Sequence, residues 1–172
     1  LFMAFTAKDV AALREQTGAG MMDCKKALVA TDGDMEKAAE YLREQGVSVA
    51  AKKASRIASE GAVMAYTMPD GKTGAMVEIN CESDFVGKSD VFIELCNNVA
   101  KHIVEAKPQN LEQLLAQPYT GDAGLTIQDL VNAAISKTGE KITVRRFVLV
   151  EEEGRVESYI HMGGKIGVLL AI

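Results

Sequence analysis

The sequence is poor in the residues that build metal centres and covalent frameworks. Its 172 residues include no tryptophan, two histidines, three prolines and three cysteines. Two histidines far apart, with scattered carboxylates, give no metal-ligand spacing. Cys24, Cys81 and Cys96 are odd in number and show no C-x-x-C, so neither a disulfide framework nor a zinc site is indicated. No apolar run approaches the roughly 18 residues needed to span a bilayer. Leu1–Thr6 lacks the basic start and apolar centre of a signal peptide, and reads as a native start near Met3 behind added residues. A cytoplasmic protein is expected. No glycine-rich phosphate loop follows the strand–loop–helix order, so direct nucleotide binding is not expected. A net charge of −5 disfavours nucleic acid as the main ligand. What is present is ordinary for a globular chain, with 48% hydrophobic and 25% charged residues.

The first part of the chain has helical periodicity. Thr6 with Asp9 forms a weak capping box before Val10 and Leu13, and Thr17-Gly18-Ala19-Gly20 breaks the helix. A second helix over 21–31 puts Cys24, Ala27 and Leu28 on one face. Met21 and Met22 are adjacent, so one face cannot bury both, and one is expected at the surface. After Asp32-Gly33-Asp34, the residues Met35, Ala38, Ala39 and Leu42 fall at i, i+3, i+4 and i+7 of a third helix. Gly46 is read as its C-cap. So small a bundle sits near the lower limit of independent stability. The Ala-rich stretch 47–59, with Lys52, Lys53 and Arg56, reads as a semi-helical linker whose cations could touch RNA but in an acidic chain more often form a solvated face.

From Gly61 the period becomes two. Ala62, Met64, Tyr66 and Met68 alternate with Val63, Ala65 and Thr67, Pro69-Asp70-Gly71-Lys72 makes a turn, and Val77, Ile79 and Cys81 alternate with Met76, Glu78 and Asn80, as in a β-hairpin. Ser89 caps a helix with Phe92, Leu95, Val99 and Ile103 inward; His102 lies beside that stripe and is read as half-exposed. A short helix capped by Asn110, a loop over 118–124, and a helix opened by Thr126 and Asp129 and closed by Gly139 follow. Strands are expected over 141–151, 155–162 and 165–172. The apolar last strand would be an edge liability, so further sequence or a partner chain, including a second copy pairing through the core strands, is expected to cover it.

Between hairpin and helix lies Asn80-Cys81-Glu82-Ser83-Asp84-Phe85-Val86-Gly87-Lys88-Ser89-Asp90, where neither pattern holds. Phe85 in a loop before a permissive glycine is either a plug folded onto the core or a probe offered to a partner. Position alone favours the plug, because burying a Phe is worth about 1.5–3 kcal/mol to the fold. An enzyme would have to be built from Cys81, Asp84 and His161, and nothing places these within hydrogen-bond reach. Cys81 is on the apolar side of the alternation and reads as a structural thiol. Tyr159 and His161 share one strand face, where His161 is a rim hydrogen bonder or a partner contact.

Four segments together resemble a known family. Leu13-Arg14-Glu15-Gln16-Thr17-Gly18-Ala19-Gly20-Met21-Met22-Asp23-Cys24-Lys25-Lys26-Ala27-Leu28, then Asn80-Cys81-Glu82-Ser83-Asp84-Phe85-Val86, Val144-Arg145-Arg146 and Tyr159-Ile160-His161, are similar in content and order to bacterial translation elongation factor Ts. Ser83 stands where that family has a threonine in its threonine-aspartate-phenylalanine-valine signature, and both carry a hydroxyl. The resemblance implies an α+β fold: a ubiquitin-associated-like three-helix domain over 5–46, a linker over 47–59, a first core subdomain over 60–140, and the opening strands of a second over 141–172. Antiparallel strands packed by helices would form the core, and family members commonly continue beyond this point. It also implies a guanine-nucleotide exchange factor for elongation factor Tu, without covalent chemistry or a cofactor. By motif, Ser83, Asp84, Phe85 and Val86 would form a partner-binding segment, in which Asp84 and Phe85 approach the GTPase near its magnesium and phosphate site, with Phe85 as a wedge. Arg14, Met21 and Met22 would hold its nucleotide-binding domain from another side, and His161 would be a further contact. This reverses the odds for Phe85, which should be exposed while Val86 points inward. The competing class is a three-helix adaptor on an α+β scaffold that binds partners without exchange activity.

Overall fold

The computed structural model describes residues 5–172. The native start read near Met3 lies outside them. Three helices come first: α1 (Ala7–Thr17), α2 (Met21–Ala30) and α3 (Met35–Lys53). The Thr6–Asp9 capping box forms, and Gly18 ends α1 in the left-handed conformation at φ 64°. Asp34 caps α3 by accepting from the Lys37 amide. Val10, Leu13, Cys24, Ala27, Leu28 and Ala38 close into a small core of their own.

The helix does not stop at Gly46. It runs on to Lys53, because Val49 and Ala50 pack against the larger core and offset the roughly 1 kcal/mol that an internal glycine costs. Gly46 is buried, facing Asn132 and Ser136 of α7 (Ile127–Thr138). One helix thus belongs to both cores. Arg43 Nη1 also lies 3.7 Å from the Asp129 carboxylate, and the Lys137 side chain lies over Gly18.

The hairpin forms as β1 (Glu60–Thr67) and β2 (Thr73–Cys81), and β5 (Thr143–Glu151) adds antiparallel to β2, giving the sheet order β1-β2-β5. Ala75, Val77, Ile79 and Cys81 are fully buried on the helical side. There α5 (Asp90–Ala106), capped by Ser89, contributes Phe92, Leu95, Cys96, Val99 and Ile103 to the main core. The hairpin of β6 (Val156–His161) and β7 (Ile166–Ala171) covers the opposite face. A Cβ on Gly74 would come within 2.5 Å of Val156 Cγ1, so glycine is required for that approach. Ile166, Val168, Leu170 and Ile172 remain at least half exposed on the outer side of β7. Helices and antiparallel sheets together make an α+β fold.

Two local expectations are corrected. Residues 118–124 are not a plain loop: β3 (Pro118–Tyr119) and β4 (Asp122–Thr126) pair as a small hairpin after α6 (Leu111–Ala116). His102 is not half-exposed but fully buried. Its Nε2 lies 3.1 Å from Gln117 Oε1, and its Nδ1 accepts from the Thr120 amide at 3.3 Å. The covering residues come from the segment that follows α6, which helical periodicity around His102 cannot register.

Candidate functional site

The stretch between β2 and α5 is not an open loop but one turn of helix, α4 (Asp84–Gly87). Two serines make it. Ser83 caps the turn, its Oγ accepting from the Val86 amide at 3.2 Å, and Ser89 donates its hydroxyl to the Val86 carbonyl at 2.7 Å before capping α5. Within the turn, helical rotation separates neighbours by about 100°. Val86 therefore enters the main core at 6% exposure, while Phe85 stands out at 82%. Gly87, read as a permissive residue, is helical instead, and a Cβ added there would meet Cys81 Sγ at an ordinary contact distance of 3.5 Å.

The exposed rim of the turn is charged. Lys88 Nζ donates to Asp84 Oδ2 at 2.8 Å, and that bond and its charge hold the Asp84 carboxyl below the usual carboxylate range. Both side chains are solvated, so the pair is weak and easily exchanged for another partner. Lys165, paired with Glu60 at 2.7 Å, adds positive potential from the β6–β7 turn. Asp84, Phe85, Lys88, Ser89 and Asp90 line a shallow surface depression.

Beneath the turn, Cys81 Sγ donates to the Ser83 carbonyl at 3.1 Å, and burial pushes its thiol up to about 11. Such a thiol is a poor nucleophile at neutral pH. The nearest ring partner of His161 is Tyr159, whose hydroxyl lies 2.8 Å from His161 Nδ1. Among the described residues no group of three or more His, Cys, Asp or Glu could hold a metal ion, and no helix is long and apolar enough to cross a membrane.

The residues singled out by sequence occupy three places. Ser83, Asp84, Phe85 and Val86 share the α4 turn; Arg14, Met21 and Met22 are exposed on α1 and α2; His161 ends β6. Both methionines are exposed, at 47% and 64%, rather than one. Met21 and Met22 open α2, where Gly20 provides no side-chain cap, and neither side chain is buried by the described residues. Val86 is buried, so its part is to anchor the turn. Lys88, Lys165 and Glu140, whose carboxylate accepts from the Ser83 amide at 2.9 Å, were not singled out in the sequence. Only the (i, i+4) spacing of Asp84 and Lys88 carried a local signal.

The family model described as Elongation factor TS matches residues 82–172. The chain is 52% identical to Elongation factor Ts of Trichlorobacter lovleyi over 98% of its own length and 54% of that relative's. It is 49% identical to Elongation factor Ts of Clostridium novyi over 97% of the chain and 55% of the relative, and 48% identical to that of Nostoc sp. over 97% and 54%. The chain spans about half the length of these curated relatives. A family match over more than half of the chain, joined to the capped turn that presents Phe85, places the chain in the elongation factor Ts family.

Proposed function

We propose that this chain is the part of a guanine-nucleotide exchange factor that engages elongation factor Tu in the cytoplasm and promotes GDP release during translation elongation. The observation that carries the reading is Phe85, an aromatic side chain 82% exposed on a helical turn whose next residue is locked in the core. The ring gains the fold none of the roughly 1.5–3 kcal/mol that burying a phenylalanine provides. Burial of that ring in a partner accounts for its position. Asp84 beside it supplies a carboxylate that can leave Lys88 at little cost and act on the Mg²⁺ environment of the GTPase. The bound ion is a large local charge holding the phosphates, so disturbing it weakens nucleotide binding.

The exchange factor needs no covalent chemistry. A protein that lowers nucleotide affinity by some factor must itself bind the nucleotide-loaded partner more weakly by the same factor. It acts by favouring the open conformation of the GTPase over the closed one. Arg14, Met21 and Met22 form a second contact on the small helical bundle, with soft methionine side chains suited to a protein surface. His161, stacked on Tyr159 with ring centroids 5.7 Å apart, is a third.

The test is release of fluorescent GDP from preloaded elongation factor Tu. The chain should accelerate release and Phe85→Ala should lose most of that acceleration. Binding without any acceleration would instead identify the adaptor class.

A further inference from the structure

We infer that Glu140, 57 residues from Ser83 in sequence, is a positioning residue that sets the orientation of the Phe85 turn; this rests on the exchange reading above. An isolated four-residue helical turn is not self-sustaining, because nucleation costs more than one turn returns. Something outside α4 must hold it. Glu140 follows the left-handed Gly139 cap of α7 and precedes β5. Its Oε2 accepts from the Ser83 amide at 2.9 Å and the Glu82 amide at 3.1 Å, and its Oε1 accepts from the Ser83 hydroxyl at 2.6 Å.

The hydroxyl of Ser83 has a single proton, and it is committed to the hydrogen bond donated to Glu140 Oε1. That fixes the rotor so that a lone pair of Ser83 Oγ faces the Val86 amide, which is the N-cap bond of α4. The grip is returned from the other side. Glu82 Oε1 accepts from the Lys141 amide at 2.6 Å and from Arg56 Nη1 at 3.3 Å. Lys141 Nζ in turn donates to the Ala54 and Arg56 carbonyls beyond α3, at 2.6 and 2.9 Å. Two successive pairs, Glu82-Ser83 and Glu140-Lys141, are thus cross-bonded, and the base of the turn is tied to the ends of α3, β2 and α7.

A wedge works only if its base does not yield. On a loose turn, the Phe85 ring can still be buried against a partner, but it cannot favour the open partner over the closed one as strongly. Loosening should therefore lower the GDP-release rate at saturating chain more than it raises the concentration giving half the effect. A defect that merely unfolds the chain would reduce the active fraction and move the concentration axis instead.

The experiment combines two measurements on Glu140→Ala, Glu140→Gln, Phe85→Ala and the Phe85→Ala/Glu140→Ala double variant. Amide hydrogen exchange at Ser83 and Val86 reads the clasp without any partner. Fluorescent-GDP release from elongation factor Tu over a concentration series reads function. Glu140→Ala should speed exchange of those amides about tenfold or more while the β2 amides stay protected. It should cut the saturating release rate severalfold, and add no further loss in the Phe85→Ala background. Glu140→Gln keeps one acceptor oxygen and should fall between. Unchanged Ser83 and Val86 exchange overturns the clasp. Faster exchange with a parental release rate overturns the positioning role. Parental release by Phe85→Ala sinks the wedge reading and the functional role of Glu140 with it, whereas the amide readout still judges the clasp.

Discussion

Phe85 and Val86 are neighbours in sequence with opposite fates, the first 82% exposed and the second 6% exposed. Their substitutions should separate function from stability. Val86→Ala removes core volume and should cost about 2 kcal/mol, lowering the urea midpoint at constant slope. Phe85→Ala should change stability by about 0.5 kcal/mol or less. The loss in GDP release should follow the reverse order per unit of stability lost. A Phe85→Ala variant as unstable as Val86→Ala would mean that the ring packs on its own chain.

Gly46 offers a gain. It lies inside α3, and a Cβ there would meet Ser136 Oγ at 3.6 Å and the Asn132 Cβ and carbonyl oxygen at 3.7 Å, all ordinary contacts. Gly46→Ala should therefore stabilise the chain by about 0.5–1 kcal/mol through helix propensity and a less flexible unfolded state. Thermal unfolding measures it. A lower midpoint would show that α3 and α7 approach too closely for a methyl group.

The same glycine shows where sequence reading succeeds and where it fails. Caps are local chemistry, and Thr6 with Asp9, Ser89, and Thr126 with Asp129 all form as their spacing indicates. Stripes such as Phe92, Leu95, Val99 and Ile103 are equally legible, because a helix repeats its core face. Gly46 reads as a stop only while α7, its packing partner, is out of view. The α4 turn is too short to show a period. Glu140 has no local signal at all, since its three donors lie 57 and 58 residues away. In the candidate site, the motif residues were visible and their support was not.

The thiols bear on the remaining enzyme reading. Cys81 and Cys96 are buried, with burial the main cause that pushes them to about 11 and about 12. At pH 8 a thiol at 11 is about one part in a thousand thiolate. Neither should react with an aromatic disulfide reagent until the chain unfolds, and both should react promptly in denaturant. Cys81→Ala should retain GDP release. Rapid native-state labelling of Cys81, or loss of activity in a folded Cys81→Ala variant, would reopen a role for the thiol.

His102 supplies a pH dependence with a definite sign. With Nδ1 accepting from the Thr120 amide, the ring proton belongs on Nε2, donating to Gln117 Oε1; a second proton would set one N–H against another. Burial holds the folded pKa below the ordinary histidine value, while the Gln117 bond and the Glu105 charge oppose it. The charge acting on it from its own helix is Glu105, whose carboxylate accepts from the Thr120 hydroxyl, and from the β3 side the Tyr119 ring sits 6.1 Å away. With the folded pKa lowered, the unfolded chain binds more protons as pH falls, so stability is full above about pH 6.5 and declines below it. The slope is at most about 1.4 kcal/mol per pH unit for one site. Carboxylates held low, such as Glu82 and Asp84, lose their contributions only in a more acidic range. Denaturant melts between pH 7.5 and 5 should show the decline in the parent, and His102→Gln should be flatter over that window. An equal slope in both proteins would place the titrating group elsewhere.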